Sequence, residues 1–235
     1  MNFYGINKVT LIDYPGKIAC SIFTHGCNLR CPFCHNPELV IEEPDENETI
    51  SEEQLLRFLK KRINKLDGVV ISGGEPLVQS EQIEPVLEKI KELGYLIKLD
   101  TNGTFPDALN RLIKNSLVDF VAIDLKCSPD NYPSVMKSSQ NAFNQIKQSI
   151  EITQKYAGDY EIRTTVVPGI HDANEIRNIC SYLGGVKKYV IQNFVPNGTI
   201  DPSYGSVNSF SSEKLKLFAR IIRKEVDNVE IRENL

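Results

Sequence analysis

Three cysteines, Cys27, Cys31 and Cys34, fall within the stretch THGCNLRCPFCHNP (24–37), spaced C-x3-C-x2-C. Thiolates are soft donors that hold zinc, copper(I) or iron–sulfur clusters. A structural zinc site needs four ligands, and His25 or His35 is near enough in sequence to complete a Cys3His set. Zinc ribbons and fingers, however, use two ligand pairs separated by a longer loop. A bacterial ferredoxin pattern needs a fourth cysteine, and the nearest, Cys20, lies in an apolar run where it reads as core. What remains is a four-iron cluster on three thiolates. One iron then keeps an open position, as in a catalytic rather than a structural metal. A ligand with an amino and a carboxylate group could chelate it.

The other chemistry-bearing stretches are SGGEP (72–76), DTNG (100–103), DLK (124–126), RTTVVP (163–168) and QNFVP (192–196). Each ends an apolar, β-branched run that reads as a strand. The six main runs are 17–26, 67–74, 95–103, 119–126, 160–169 and 187–196, with 228–233 as a last short strand. Between them, 80–94, 106–116, 141–158, 172–185 and 211–226 carry helical apolar spacing. Pro106 suits a first helical position and Gly94 a position just past a helix end. The acidic stretch IEEPDENETISEEQ (41–54) reads as a surface loop entering a helix, with Ser51 as N-cap and Gln54 closing a capping box.

Strands alternating with helices predict a parallel α/β sheet. Six units are fewer than the eight of a closed barrel. The expected fold is therefore a partial (β/α)6 TIM-type barrel, with a doubly wound flat sheet as the alternative. It is read as one domain over 1–235, with a core at about 17–200 and a terminal helix and short strand in 211–233. In parallel α/β folds the C-terminal strand ends share one face, and that face carries the site. The six stretches are expected to converge there.

With Phe33 before the last cysteine, the motif resembles the C-x3-C-x-aromatic-C signature of the radical S-adenosylmethionine (SAM) superfamily. SGGEP resembles that superfamily's glycine-rich motif after the second strand. The resemblance implies a radical SAM fold and a [4Fe–4S] cluster on Cys27, Cys31 and Cys34. It also implies S-adenosylmethionine chelated to the open iron and cleaved by one electron to a 5′-deoxyadenosyl radical that abstracts hydrogen. Within the superfamily, LIDYPGK, GCNLRCPFCHNP, DTNG, DLK and RTTVVP resemble the glycyl-radical-enzyme activases. The nearest kind is the activating protein of anaerobic ribonucleoside-triphosphate reductase, in its pyruvate formate-lyase activase-like form. Many activases for other partners carry an inserted ferredoxin-like domain with eight more cysteines. This chain has six cysteines in all, three of them in the motif, which fits the small activases.

The resemblance carries roles to matched positions. Ser72, Gly73, Gly74, Glu75 and Pro76 are expected at the cofactor. The glycines lack a Cβ and admit a ligand amine, and Glu75 accepts from its ammonium. Asp100, Thr101 and Asn102 are expected near the sulfonium cofactor. Asp100 and Asp124 would repel each other without a small cation or Lys126 between them. Lys126 and Arg163 suit a carboxylate. Phe33 and His35 are expected at the cofactor; His35 and Asn36 either cap and orient the cluster loop or contact the cofactor directly. His25, His171, Cys20, Cys127 and Cys180 are read as structural. The loop 193–205 is either a partner contact or a plain surface loop.

Composition bounds the rest. Twenty-seven basic against 31 acidic residues give a net charge near −4, which argues against nonspecific nucleic-acid binding. Neither a signal peptide nor a membrane-length apolar run is seen, so a cytoplasmic protein is expected. The expected partners are a glycyl radical enzyme and a flavodoxin- or ferredoxin-type electron donor. A radical enzyme acting on a small molecule and a noncatalytic metal module are the competing readings.

Overall fold

The computed structural model of the chain describes residues 1–41, 49–139 and 141–233. It opens with two strands not expected from the sequence, β1 (Asn2–Phe3) and β2 (Ile6–Thr10). The first expected strand follows as β3 (Ala19–Thr24), and β4 (Ile50–Ser51) pairs antiparallel with β1. The other five expected strands are β5 (Gly68–Gly73), β6 (Leu96–Thr101), β7 (Phe120–Asp124), β8 (Asp159–Val166) and β9 (Lys188–Asn193). The short terminal run forms β10 (Asn228–Arg232). One sheet results, in the order β10-β9-β8-β7-β6-β5-β3-β2. Every neighbouring pair is parallel except β2 with β3. The order is that of the expected βα repeat, lengthened by one strand at each edge.

Helices cover the outer face. They are α1 (Glu52–Lys60), α2 (Ser80–Glu92), α3 (Pro106–Lys114), α4 (Tyr132–Val135), α5 (Ala142–Tyr156), α6 (Ala173–Cys180) and α7 (Ser212–Ile222). The capping box at Ser51 and Gln54 forms in both directions, satisfying N–H groups that a helix start leaves orphaned. Helix α2 buries Ile83, Val86, Leu87 and Ile90, one stripe at helical spacing. Gly94 follows at φ +87, where a side chain would be strained. Helix α5 stops at Tyr156, two residues before Gly158, and the short α4 was not anticipated. Residues 42–48 of the acidic stretch lie outside the described residues. No helix among the described residues is long and apolar enough to cross a membrane.

The sheet has two unlike faces. Toward the helices it contributes to a continuous apolar core. On its inner face, Ala19, Val70, Phe120 and Ala122 pack with Tyr14 in a smaller cluster. Side chains alternate along a strand, so that same face continues upward through Asp100, Asp124 and Arg163; register sets Asp124 beside Arg163, with Asp100 one step lower beside Ala122. The interior thus turns from apolar to charged at the strand C-termini.

Candidate active site

The strand tips surround a cavity of about 470 Å³, a size suited to a small cofactor. Every candidate named from the sequence lines it except Pro76. Pro76 is buried and instead begins the 3-10 turn Pro76–Gln79 after β5.

The cysteine loop is held in place by backbone bonds to distant segments. Gly26 N–H donates to the Leu39 carbonyl at 2.8 Å, and Arg30 N–H to that of Met136 at 3.1 Å. Ile200 and Asp201 donate to the carbonyls of Cys34 and Pro32 at 3.0 and 2.9 Å. Phe33 packs near the Tyr204 ring, with centroids 6.4 Å apart. The loop 193–205 therefore braces the cysteine loop. Cys27, Cys31 and Cys34 are all free thiols on the cavity wall. Among the described residues, no three His, Cys, Asp or Glu side chains are placed to share one metal ion. Burial pushes the Cys31 thiol up to about 12, with Lys126 opposing it; a metal must displace that proton.

Gly73 has φ +125, and a Cβ there would lie 2.3 Å from the Thr24 backbone nitrogen and oxygen. At Gly74 it would lie 2.2 Å from the Gly26 carbonyl oxygen. The space reserved by these glycines is thus filled by the chain itself, where the cysteine loop crosses the β5 tip. Gly74 and Glu75 N–H groups complete the crossing, donating to the Thr24 and Gly26 carbonyls at 2.9 and 2.7 Å.

Glu75 is fully buried. Its Oε1 accepts from Leu77 N–H at 3.0 Å and the Thr101 hydroxyl at 2.8 Å, and its Oε2 from Asn102 N–H at 2.6 Å. Burial raises the carboxyl to about 7, against the pull of these bonds. Asn102 also donates to Asn28 Oδ1 at 2.9 Å and reaches Cys27 Sγ at 3.8 Å. One carboxylate and one amide therefore tie the tips of β5 and β6 to the cysteine loop.

Beyond them runs an alternating line of charge. Lys98 pairs with Asp100, Asp100 with Arg163 at 3.1 Å, Arg163 with Asp124 at 2.8 Å, and Asp124 with Lys126 at 3.0 Å. Between Asp100 and Asp124, where a small cation or Lys126 was expected, the Arg163 guanidinium bridges the two carboxylates. Burial works to raise the Asp124 carboxyl, but Arg163 and Lys126 together hold it well below its ordinary value. Burial likewise works to lower the Lys126 ammonium, and the charge of Asp124 outweighs it.

His35 is exposed on the cavity rim, whereas His25 lies against the Tyr4 ring, centroids 4.9 Å apart, off the cavity. Cys20, Cys127 and Cys180 are buried away from it. The stretches RTTVVP and QNFVP, expected to converge here, also bring Thr165 and Gln192 to the cavity, whereas sequence reasoning missed Asp13 and Arg232, which line it too. Alternation within β8 puts Thr165 on the same face as Arg163. Arg232 became visible only once β10 joined the sheet.

The chain matches the family model described as Radical SAM superfamily over residues 21–183. It is 35% identical, over 97% of its length and 94% of the relative's, to a Methanocaldococcus jannaschii protein provisionally named a glycyl-radical enzyme activating enzyme. It is 28% identical to the pyruvate formate-lyase-activating enzyme of Clostridium pasteurianum, over 99% of this chain and 94% of that one. Among solved structures, Streptococcus suis SuiB bound to S-adenosylmethionine superposes with a TM-score of 0.64 at 14% identity, over 90% of this chain and 51% of that one. Archaeal TYW1 superposes at 0.59 and 15% identity, over 89% and 72%. At such identities these two share the fold alone.

Proposed function

This chain belongs to the radical SAM superfamily as an enzyme of the glycyl-radical-activating kind, and from that premise we propose that its partner is an anaerobic ribonucleoside-triphosphate reductase. The observation that carries an activase reading is the convergence of three free thiols, the glycine-rich β5 tip and the Asp100–Arg163–Asp124–Lys126 line on one cavity.

The family implies a [4Fe–4S] cluster and S-adenosylmethionine, and the donor set suits both. Cys27, Cys31 and Cys34 would hold three irons as thiolates. Bound together, the two groups supply reductive cleavage of a sulfonium and abstraction of hydrogen from carbon. Glu75 Oε2, with one hydrogen bond in place, has capacity left for an ammonium. Lys126, already charged beside Asp124, faces an incoming carboxylate. Asp100, Thr101 and Asn102 line the same wall, and Phe33 and Leu29 keep water from the cysteine side. A flavodoxin or ferredoxin would deliver the electron.

A second reading, pyruvate formate-lyase as the partner, is favoured by the full-length likeness to the Clostridium pasteurianum activase. Anaerobic incubation of the reconstituted protein with reductant, S-adenosylmethionine and each candidate partner separates the two. A glycine-centred EPR doublet on the reductase is expected. A doublet on the lyase alone replaces the partner assignment. Deoxyadenosine release with no protein radical on either overturns the activase reading in favour of a small-molecule enzyme.

A further inference from the structure

Lys126 extends a flexible stem from a loop, so where its ammonium points depends on how its backbone is fixed. Side chains from elsewhere hold that backbone on both sides. The Lys126 N–H donates to the Tyr132 hydroxyl at 2.8 Å, and the Lys126 carbonyl lies 2.9 Å from Nε2 of His171. His171 is 3% exposed and comes from the loop after β8. Its other nitrogen settles the position of the proton. Val167 N–H donates to Nδ1 at 2.9 Å, so Nδ1 is the acceptor and Nε2 carries the hydrogen. Nε2–H therefore donates to the Lys126 carbonyl. Two residues on, Glu175 of α6 accepts from the Ser128 N–H and hydroxyl at 2.5 and 2.9 Å and from Asn131 at 2.7 Å. A loop on a protein surface normally leaves such groups to water. Here the stretch after β7 is clamped by buried polar side chains of other elements.

We infer that His171 is a positioning residue: by holding the Lys126 carbonyl it aims the Lys126 ammonium into the cavity, and so sets the affinity for the anionic end of the cofactor. This rests on the reading that the cavity takes S-adenosylmethionine with Lys126 toward its carboxylate. The competing role for His171 is local, as the ring that closes the Val167–His171 turn, where His171 N–H also donates to the Val167 carbonyl at 2.9 Å. Its two nitrogens serve the two roles separately, so two substitutions divide them. In His171→Asn the amide oxygen stands in for Nδ1, keeping the Val167 bond and removing the donor to Lys126. In His171→Gln the amide nitrogen stands in for Nε2, keeping the donor to Lys126 and giving up the Val167 bond.

The test uses the full chain with its cluster reconstituted anaerobically. The S-adenosylmethionine dissociation constant is read from the change in the reduced-cluster EPR spectrum, beside the thermal midpoint of each variant. His171→Asn is expected to weaken binding about tenfold and His171→Gln by less than about threefold. The reverse ranking, or equal binding by all three proteins, overturns the inference. Should His171→Asn fail to fold, Tyr132→Phe removes the acceptor on the other side of Lys126 and keeps its buried ring. An affinity unchanged in that variant overturns the inference, and a loss of about tenfold supports it. Wild-type protein whose cluster spectrum ignores S-adenosylmethionine overturns the functional reading and this inference with it. Wild-type binding with indifferent variants overturns this inference alone.

Discussion

Glu75 is the residue on which pH acts most directly. Its carboxyl titrates near 4.5 when unperturbed and at about 7 in the fold, because burial outweighs the bonds it accepts. Between those values the native state holds a proton that the unfolded chain has released. Stability therefore falls as pH rises through that window and levels off above it. The difference amounts to about 3 kcal/mol at 1.36 kcal/mol per pH unit. Urea unfolding of the cluster-free protein at pH 5 and pH 7.5 should show this loss, and Glu75→Gln should show a flatter dependence. An equal slope in both proteins would assign the effect elsewhere. The thiols allow a sharper test. Cys31→Ala should lose the cluster's iron and its visible absorbance, since the cavity offers no replacement thiol: Cys20, Cys127 and Cys180 are buried elsewhere. His35→Ala, on the exposed rim, should keep both. Loss of iron in His35→Ala would mean that the histidine is a ligand.

At the scale of elements, the strands were legible because the central ones are buried on both faces and read as largely apolar runs, most clearly Gly68–Gly73 and Phe120–Asp124. Strand β2 was not, since in Ile6–Thr10 only Thr10 is buried and no alternation shows. Lys98 was equally hidden. A lysine in a strand suggests a solvated face, yet this one is 1% exposed, paired with Asp100 and 5.9 Å from the Phe120 ring centroid. The glycines of SGGEP were read as room for a ligand amine, whereas contact between two loops of the chain already requires them. Gly73→Ala adds a Cβ at 2.3 Å from Thr24 backbone atoms and also strains φ +125. It should cost upward of about 2 kcal/mol. Gly16→Ala, at φ +70 in open space, should cost only about 1 kcal/mol. Chemical denaturation compares them directly, and equal costs would rule out the contact with Thr24 as the cause. Leu87→Ala, fully buried between α2 and the sheet, sets the scale of a core cavity at about 2–5 kcal/mol.

Across the whole molecule, charge is sorted by depth. The chain carries a modest net negative charge, while the inner face of the barrel gathers Lys98, Asp100, Asp124, Lys126 and Arg163 in alternation. A second group extends the pattern across the last strands. Arg232 reaches the buried Glu161 at 2.8 Å, and Lys188 joins Glu161 to Glu230 at 3.2 and 3.0 Å. Removing one partner from a buried pair leaves an uncompensated charge and typically costs about 3–5 kcal/mol. Asp124→Ala should therefore lower the thermal midpoint of the cluster-free protein as well as its affinity for S-adenosylmethionine. Loss of affinity at an unchanged midpoint would show that the line of charge serves binding alone.

The backbone bonds that hold the cysteine loop bear on what chelators do. In a zinc finger the metal is the core, and its removal unfolds the chain. Here the loop from Gly26 to Cys34 is bonded to Leu39, Met136, Ile200 and Asp201 through main-chain groups alone, and Leu29 within it is 2% exposed. Metal loss should then silence the protein without melting it. Oxygen or a chelator would leave a folded, empty scaffold whose circular dichroism matches that of the loaded form. Iron and sulfide should restore it without refolding, making its inactivation repairable.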